Sequence, residues 1–332
     1  MSNRVCGVVK QICISSSRGT QKSPVEKAVL RKDWGLEGDA HAGNWHRQIS
    51  LISEEKIQAF REQGAQVLPG AFGENIIVSG IDFSALEVGT HLLFGKDLET
   101  RDESLGAQGF LQVAELEMTQ IGKECHSHCA IFQQMGDCIM PREGVFARVL
   151  EGGEICPGMQ VCVVPPKEDR PFTAAVITLS DKGARGERED ESGPKITGLL
   201  EQEGYQVVEQ ILLPDERQAL ESHLIRLADS RQVNVIFTTG GTGFSVRDIT
   251  PEATIAVCDR MANGIAEAIR GYSLQITPRA MFSRAVSGIR KKTLIVNLPG
   301  SPKAVTEALM FLLPHLGHGL GVLRGSEGEC GR

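Results

Sequence analysis

Two domains of different class are predicted along this 332-residue chain: a β-rich barrel or sandwich over 1–165, and a mainly parallel sheet with helices on both faces over 172–332. Three observations carry that prediction. Short β-branched segments punctuated by glycine dominate the first half. Strand and helix patterns alternate strictly in the second. Between them "VVPPKEDRPFT" (163–173) holds three prolines and a charge run, which disfavours regular structure and marks a linker at 166–171.

In the first half the strand segments are "VCGVVKQICIS", "ENIIVSG", "HLLFG", "LQVAEL", "GVFARVL" and "MQVCVV". One helix interrupts them, "SEEKIQAFREQG", with Ser53 as N-cap, acidic residues in the first turn and Gly64 at the stop. In the second half "AAVITL" is a continuous apolar strand. "SGPKITGLLEQEG" follows as a helix, with Ser192 as N-cap, Pro194 in its first turn and Gly204 as its end. Then come strand "YQVVEQILL", helix "DERQALESHLIRLAD", strand "VNVIFTT", helix "PEATIAVCDRM", strand "TLIVNL" and helix "PKAVTEALMFLLPHL".

Composition narrows the function classes. Net charge is −7; Lys and Arg number 17 against 23 Asp and Glu up to residue 170, and 18 against 19 beyond it. Neither half has the basic excess of a nucleic-acid binder. No apolar run approaches the roughly 20 residues that span a bilayer, so no membrane partner is expected. The start "MSNRVCGVVKQICIS" lacks the apolar core of a secretory signal, which makes a cytoplasmic location the expectation. Nine cysteines, an odd number, then argue for reduced thiols rather than a disulfide framework.

Each strand of the second half runs into a polar or glycine-rich motif. These are Ser180-Asp181, Pro214-Asp215-Glu216, "GGTGFSVRD" (240–248) and "PGSPK" (299–303). Strand carboxyl ends form the ligand crevice of an open α/β sheet, so the four motifs are expected to face one site. Gly240, Gly241 and Gly243 let backbone N–H groups approach a phosphate, and no Lys-Ser/Thr follows them as in a Walker A loop. Asp215 and Asp248 suit Mg²⁺ bridged to nucleotide phosphates. Taken alone, "GGTG" also reads as a tight turn and Asp215 as a helix start. Arg247 reads as a phosphate partner or as an ion pair with Asp248.

The stretches "TLSDKGARGEREDESG", "LPDE", "TTGGTGFSVRDITPEAT" and "AMFSRAVSGIRKKTLIVNLPGSPKAV" resemble the MogA-type molybdopterin adenylyltransferase family, which includes the gephyrin G domain. The resemblance implies a three-layer α/β/α fold, usually trimeric, and ATP-dependent adenylylation of molybdopterin with Mg²⁺. It implies catalytic roles for Asp215 and Asp248, with Asp248 toward Mg²⁺. Ser180, Asp181, Gly240, Gly241, Thr242, Gly243, Ser245, Asn297, Pro299, Gly300 and Ser301 would line the nucleotide and pterin pocket. Val246 stands where many relatives have proline before the Arg-Asp pair, a modest change in loop stiffness. Non-catalytic binding and delivery of the cofactor is the alternative, with other molybdenum cofactor proteins as partners.

The first half contains "GKECHSHCAIFQQMGDC" (122–138), three cysteines at C-x3-C-x8-C spacing with two histidines. A zinc site completed by His126, His128, His41 or His46, buried apolar thiols at Cys129 and Cys138, and a reactive thiolate all remain open. "GLEGDAHAGNWHRQISLIS", "PGAFGENIIVSGIDFSALEVGTHLLFG" and "REGVFARVLEGGEICPGMQV" resemble the MOSC family. That family is β-rich and associated with molybdenum cofactor binding or sulfur carried on a cysteine. The resemblance places that cysteine at Cys125, as a molybdenum ligand or persulfide carrier. Cysteines 6, 13, 156, 162, 258 and 330 show no clustering.

Overall fold

A computed structural model describes residues 5–96, 98, 114–123 and 130–326. The chain divides into two compact units, Met1–Lys167 and Glu168–Arg332.

The first unit has eleven described strands: β1 (Cys6–Ile14), β2 (Ser23–Val25), β3 (Ala28–Arg31), β4 (Gly35–Leu36), β5 (Ile49–Ser53), β6 (Ile76–Ser79), β7 (His91–Gly95), β8 (Ala114–Ile121), β9 (Val145–Glu151), β10 (Gly153–Ile155) and β11 (Gln160–Val164). Seven close into a barrel in the order β11-β7-β8-β9-β5-β6-β1, with β1 pairing back onto β11. Closure removes the exposed edges that an open sheet would leave. β8 shows the period: Ala114, Leu116, Met118 and Gln120 are buried, and the residues between them half-buried. Helix α1 (Glu54–Glu62) packs Ile57 and Phe60 into a second apolar cluster against Ile52 and Ile77. Ser53 does precede it, but its hydroxyl bonds Glu55 Oε2 rather than a helix N–H.

Two features were not legible in advance. Cys6 and Cys162 form a disulfide, which corrects the expectation of reduced thiols throughout. The antiparallel register that closes the barrel sets Cys6 opposite Cys162, 156 residues away in sequence. Beyond the end of β1, Lys22 Nζ sits 2.6 Å from Asp39 Oδ2, each side chain only 1% exposed. Asp39 also accepts from Ser15 N, His41 N and Asn75 Nδ2. Burial pushes the Lys22 ammonium down from its usual range, partly offset by Asp39. Burial opposes ionisation of Asp39, but Lys22 and the backbone donors win and its carboxyl titrates low.

The second unit is a six-stranded sheet of β12 (Thr173–Leu179), β13 (Gln206–Leu213), β14 (Val235–Thr239), β15 (Arg260–Met261), β16 (Ser287–Arg290) and β17 (Thr293–Leu298), ordered β13-β12-β14-β17-β16-β15. The first four are parallel; β16 and β15 add antiparallel. The helices here, after the short α2 (Ala130–Met135) and α3 (Met140–Glu143) of the first unit, are α4 (Asp181–Ala184), α5 (Ser192–Gln202), α6 (Arg217–Ile225), α7 (Thr250–Val257), α8 (Asn263–Ile276) and α9 (Pro302–Arg324). Alternate residues of β12 face opposite layers. Ala174 and Val176 pack with α5, α8 and α9; Ala175, Ile177 and Leu179 pack with α6 and α7. This is the predicted three-layer arrangement. Local corrections concern helix ends. The third helix stops at Ile225 and continues as one π turn, Arg226–Ser230. The "PEATIAVCDRM" helix stops at Val257, because Arg260–Met261 is drawn into the sheet against β16.

Among the described residues no helix is long and apolar enough to cross a membrane.

Candidate functional site

The chain leaves β12 toward β13 on one side and returns across it to β14 on the other, so the winding reverses at β12. Crevices form outside the strand ends at such a reversal. All four polar motifs predicted from sequence are brought together there. Ser180, after β12, caps α4 by accepting from Gly183 N at 3.0 Å. Gly240 and Gly241, after β14, both have left-handed φ (94° and 62°). A methyl on Gly240 would stand 2.3 Å from Leu179 O, and one on Gly241 2.5 Å from Thr250 Oγ1. Only glycine fits either place. Gly300 packs on the same loop, its missing Cβ position 3.4 Å from Gly240 Cα. Pro299 O accepts from Thr239 Oγ1 at 2.6 Å, and Ser301 caps α9.

The acidic residues interlock. Asp181 N donates to Asp215 Oδ2 and Asp215 N donates to Asp181 Oδ1, both at 3.0 Å. Arg247 closes the group with bonds of 3.0 and 2.8 Å to Asp181 and 2.9 Å to Glu216. Arg247 therefore pairs with Asp181 and Glu216, not with Asp248 as one sequence reading had it; its side chain turns toward the α4 side of the loop. The guanidinium holds Asp181 below the usual carboxylate range. Asp215 moves the other way: burial raises it first, and the charges of Asp181 and Asp248 add to the rise.

A raised native pKa means the folded state binds the Asp215 proton more tightly than the unfolded chain does. Stability then falls as pH climbs from the unfolded value of 3.8 through the native one, and the penalty is complete above it. Asp215→Asn removes that penalty while keeping an oxygen for Asp181 N. It is expected to raise the second domain's thermal midpoint at neutral pH and to leave it unchanged near pH 3. A lower midpoint at pH 7 in scanning calorimetry would contradict this.

Asp248 is set by its own loop: its Oδ2 accepts from Ser245 N at 2.9 Å, and its N donates to Ser245 O at 2.9 Å. Arg284 holds that loop from behind. Its Nε donates to Gly243 O at 2.6 Å, its Nη2 to Asp248 O at 2.5 Å and its Nη1 to Glu252, while its backbone N reaches Thr242 O at 2.9 Å. Sequence reasoning missed Arg284; a lone arginine 36 residues from its partner carries no local signal. Arg284→Lys keeps the charge but not the planar fork. It is expected to lower turnover in the reaction that the resemblance implies by about tenfold or more, with little change in thermal midpoint; steady-state kinetics checks it.

Other predicted residues fall differently. Asn297 is fully buried, its amide donating to Thr238 Oγ1 and Thr254 Oγ1 at 2.9 Å and accepting from Val286 N. It ties the strands together beneath the cleft. Thr242 is also buried, while Ser245 is exposed. Ser192 begins α5 rather than capping it, and Glu191 holds the N-cap position with no side-chain bond; Asp190, one residue earlier, accepts from Ser192 N and Gly193 N instead. An aspartate ahead of Ser-Gly-Pro is the cap signal that could have shown this.

Asp215 Oδ1 and Asp248 Oδ1 accept no hydrogen bond from the described chain and are open to a cation. No group of three or more His, Cys, Asp or Glu side chains suited to a metal exists among the described residues. Two carboxylates fit Mg²⁺, which takes one or two of them and completes its shell with water and substrate phosphate.

In the first unit Cys125, with Cys129, His126 and His128, lies outside the described residues. Cys138 is buried in the cluster of Phe60, Ile131 and Phe146, as an apolar thiol would be. His46 Nε2 is 3.0 Å from Gln120 Oε1, and His41 Nδ1 is 3.5 Å from Asp39.

Known domains match both units. Residues 38–162 match the MOSC domain, and 175–318 match the probable molybdopterin binding domain. Molybdopterin adenylyltransferase of Helicobacter pylori (strain J99) is 40% identical over 153 residues, covering 46% of this chain and 87% of that protein. Gephyrin of Dictyostelium discoideum is 36% identical over 167 residues, 47% of this chain but 23% of gephyrin. The crystal structure of the molybdopterin biosynthesis enzyme MoaB from Thermus thermophilus is 44% identical, covers 46% of this chain and 97% of its own, and gives a TM-score of 0.45. With its glycine loop and acidic cluster inside the matched segment, this chain belongs, through its second half, to the molybdopterin adenylyltransferase family, and joins to that half a MOSC domain.

Proposed function

We propose that the second domain transfers the adenylyl group of ATP to the terminal phosphate of molybdopterin. An oxygen of that phosphate attacks the α-phosphorus of ATP, the bond to the β-phosphate oxygen breaks, and pyrophosphate leaves. The observation that supports this most is the pair of open oxygens on Asp215 and Asp248 beside the Gly240–Gly241 loop, within the segment 40% identical to molybdopterin adenylyltransferases. Asp215 and Asp248 would hold Mg²⁺, which supplies neutralisation of phosphate charge when bound. The protein's own part is positioning and electrostatics, the main sources of rate in phosphoryl chemistry. Backbone N–H groups around Gly240 and Gly241 take phosphate oxygens, and Arg284 keeps the Asp248 loop in place for them.

The first domain handles the product or its sulfur, with Cys125 as persulfide carrier or molybdenum ligand. Joining the two activities raises the local concentration of the shared intermediate, up to about millimolar for a short flexible linker. Exposed Phe244, Met281, Phe282 and Met310 on the second unit support self-association, with a trimer as the state proposed.

Purified full-length protein given molybdopterin, Mg²⁺ and ATP is expected to release pyrophosphate only when all three are present. Pyrophosphate release independent of the pterin would sink the reading. Intact-mass analysis of the untreated protein is expected to find an added sulfur that Cys125→Ser removes.

A further inference from the structure

The glycine loop lies at the carboxyl ends of the strands. At the opposite edge of the sheet, where β12 and β14 begin, a second set of polar contacts gathers around Arg324. Arg324 is the last residue of α9, which Gly325 ends with a left-handed φ of 87°. An arginine in a last turn ordinarily serves the open carbonyls of its own helix. This one reaches across to the chain that enters the second unit. Its Nη1 donates to Glu168 O at 3.2 Å and to Arg170 O at 2.7 Å. Its Nη2 donates to Pro171 O at 3.1 Å and to Asn234 Oδ1 at 3.0 Å. The guanidinium carbon also stands 4.1 Å from the centre of the Phe172 ring, within the range of cation–π attraction.

Asn234 ties this group to the sheet. Its Oδ1 also accepts from the N–H of Thr173, the first residue of β12, at 2.9 Å, and Asn234 itself leads into β14. Side-chain burial does little to fix 168–171, since Glu168, Asp169 and Pro171 are exposed. What is held is backbone: three carbonyls on one guanidinium. Bonds from a charged donor are roughly twice as strong as neutral ones, and only a planar fork meets several acceptors at once. The boundary between the two compact units agrees. It falls between Lys167 and Glu168, although proline and charge mark 166–171 as linker in the sequence.

We propose that Arg324 is a tether clamp: it docks 168–171 onto the second domain and so shortens the joint to the first. Four residues withdrawn from the tether take about 13–14 Å from its reach, at about 3.3–3.6 Å each. Pro165 and Pro166 stiffen the chain just ahead of them. Local concentration across a tether depends on its length and stiffness, so Arg324 sets that quantity for the pair of domains. The clamp rests on the contacts of Arg324 and stands whether or not the second domain transfers adenylyl groups.

A glutamyl endopeptidase tests it, because such an enzyme cuts after Glu168, at a carbonyl that Arg324 holds. Cleavage of a folded protein follows the population of the locally opened state. Full-length Arg324→Ala is expected to be cut there about tenfold or more faster than wild type under native conditions, with cutting at other glutamates unchanged. Arg324→Lys keeps the charge but not the fork; it is expected to be cut several-fold faster than wild type, and it carries the test if Arg324→Ala does not fold. Calorimetry of each variant establishes that the second domain is folded. A folded variant cut after Glu168 no faster than wild type overturns the proposal. So does wild type cut there as fast as a free peptide of residues 163–173. Equal acceleration at every glutamate also overturns it, because Arg324 would then stabilise the domain as a whole and clamp nothing in particular.

Discussion

Asp248→Asn is expected to lower adenylyl transfer by about 10²–10³-fold, the usual loss when one preorganised electrostatic group is removed from a reacting centre. Asparagine still offers an oxygen to Ser245 N, so the 2.9 Å bond that shapes the loop survives. The change therefore removes charge and leaves geometry. Pterin binding should persist within a few-fold, and the thermal midpoint should not fall. Turnover and equilibrium binding on the same preparation separate these effects. A variant that keeps near-normal turnover would mean that Asp248 shapes the loop and does nothing more.

Lys22→Met is expected to have the largest effect on stability. It strands Asp39 as an uncompensated charge at 1% exposure, and breaking a buried pair this way costs about 3–5 kcal/mol. Whole domains are stable by only about 5–15 kcal/mol, so the first domain should unfold separately and well below the second. Calorimetry should then show two transitions, with the lower one moved. Combining Lys22→Met with Asp39→Asn should recover part of the loss, because the amide is neutral and its one oxygen still accepts from either Ser15 N or His41 N, which bond different oxygens of the aspartate. An unmoved transition in Lys22→Met would show that the pair contributes nothing net.

Much of the second domain was legible because its information is local. A parallel strand is an apolar run, its helix follows at once, and the polar residues at each strand end fall at one edge by topology alone. Gly240 and Gly241 could be singled out because a left-handed backbone leaves a residue signature. Asn297 could not be placed: strand alternation assigns a face but does not say that two threonine hydroxyls consume its amide. Arg284 and Arg247 depend on side-chain reach across loops, which spacing does not encode. In the first domain the Cys6–Cys162 bridge and the Lys22–Asp39 pair exist only once the barrel closes. Neither cysteine has a neighbour in sequence that hints at the other. Helix ends slipped where the sheet competed, as at Arg260–Met261, whose pairing with β16 outweighs its helical pattern.

The central claim is tested most directly by following the adenylyl group itself. Full-length protein is mixed with molybdopterin, Mg²⁺ and ATP labelled at the α-phosphate, and the pterin is recovered for mass spectrometry. Label joined to molybdopterin, in step with pyrophosphate release and slowed by about 10²–10³-fold in Asp248→Asn, is the predicted result. Molybdopterin recovered bound but unlabelled would contradict it.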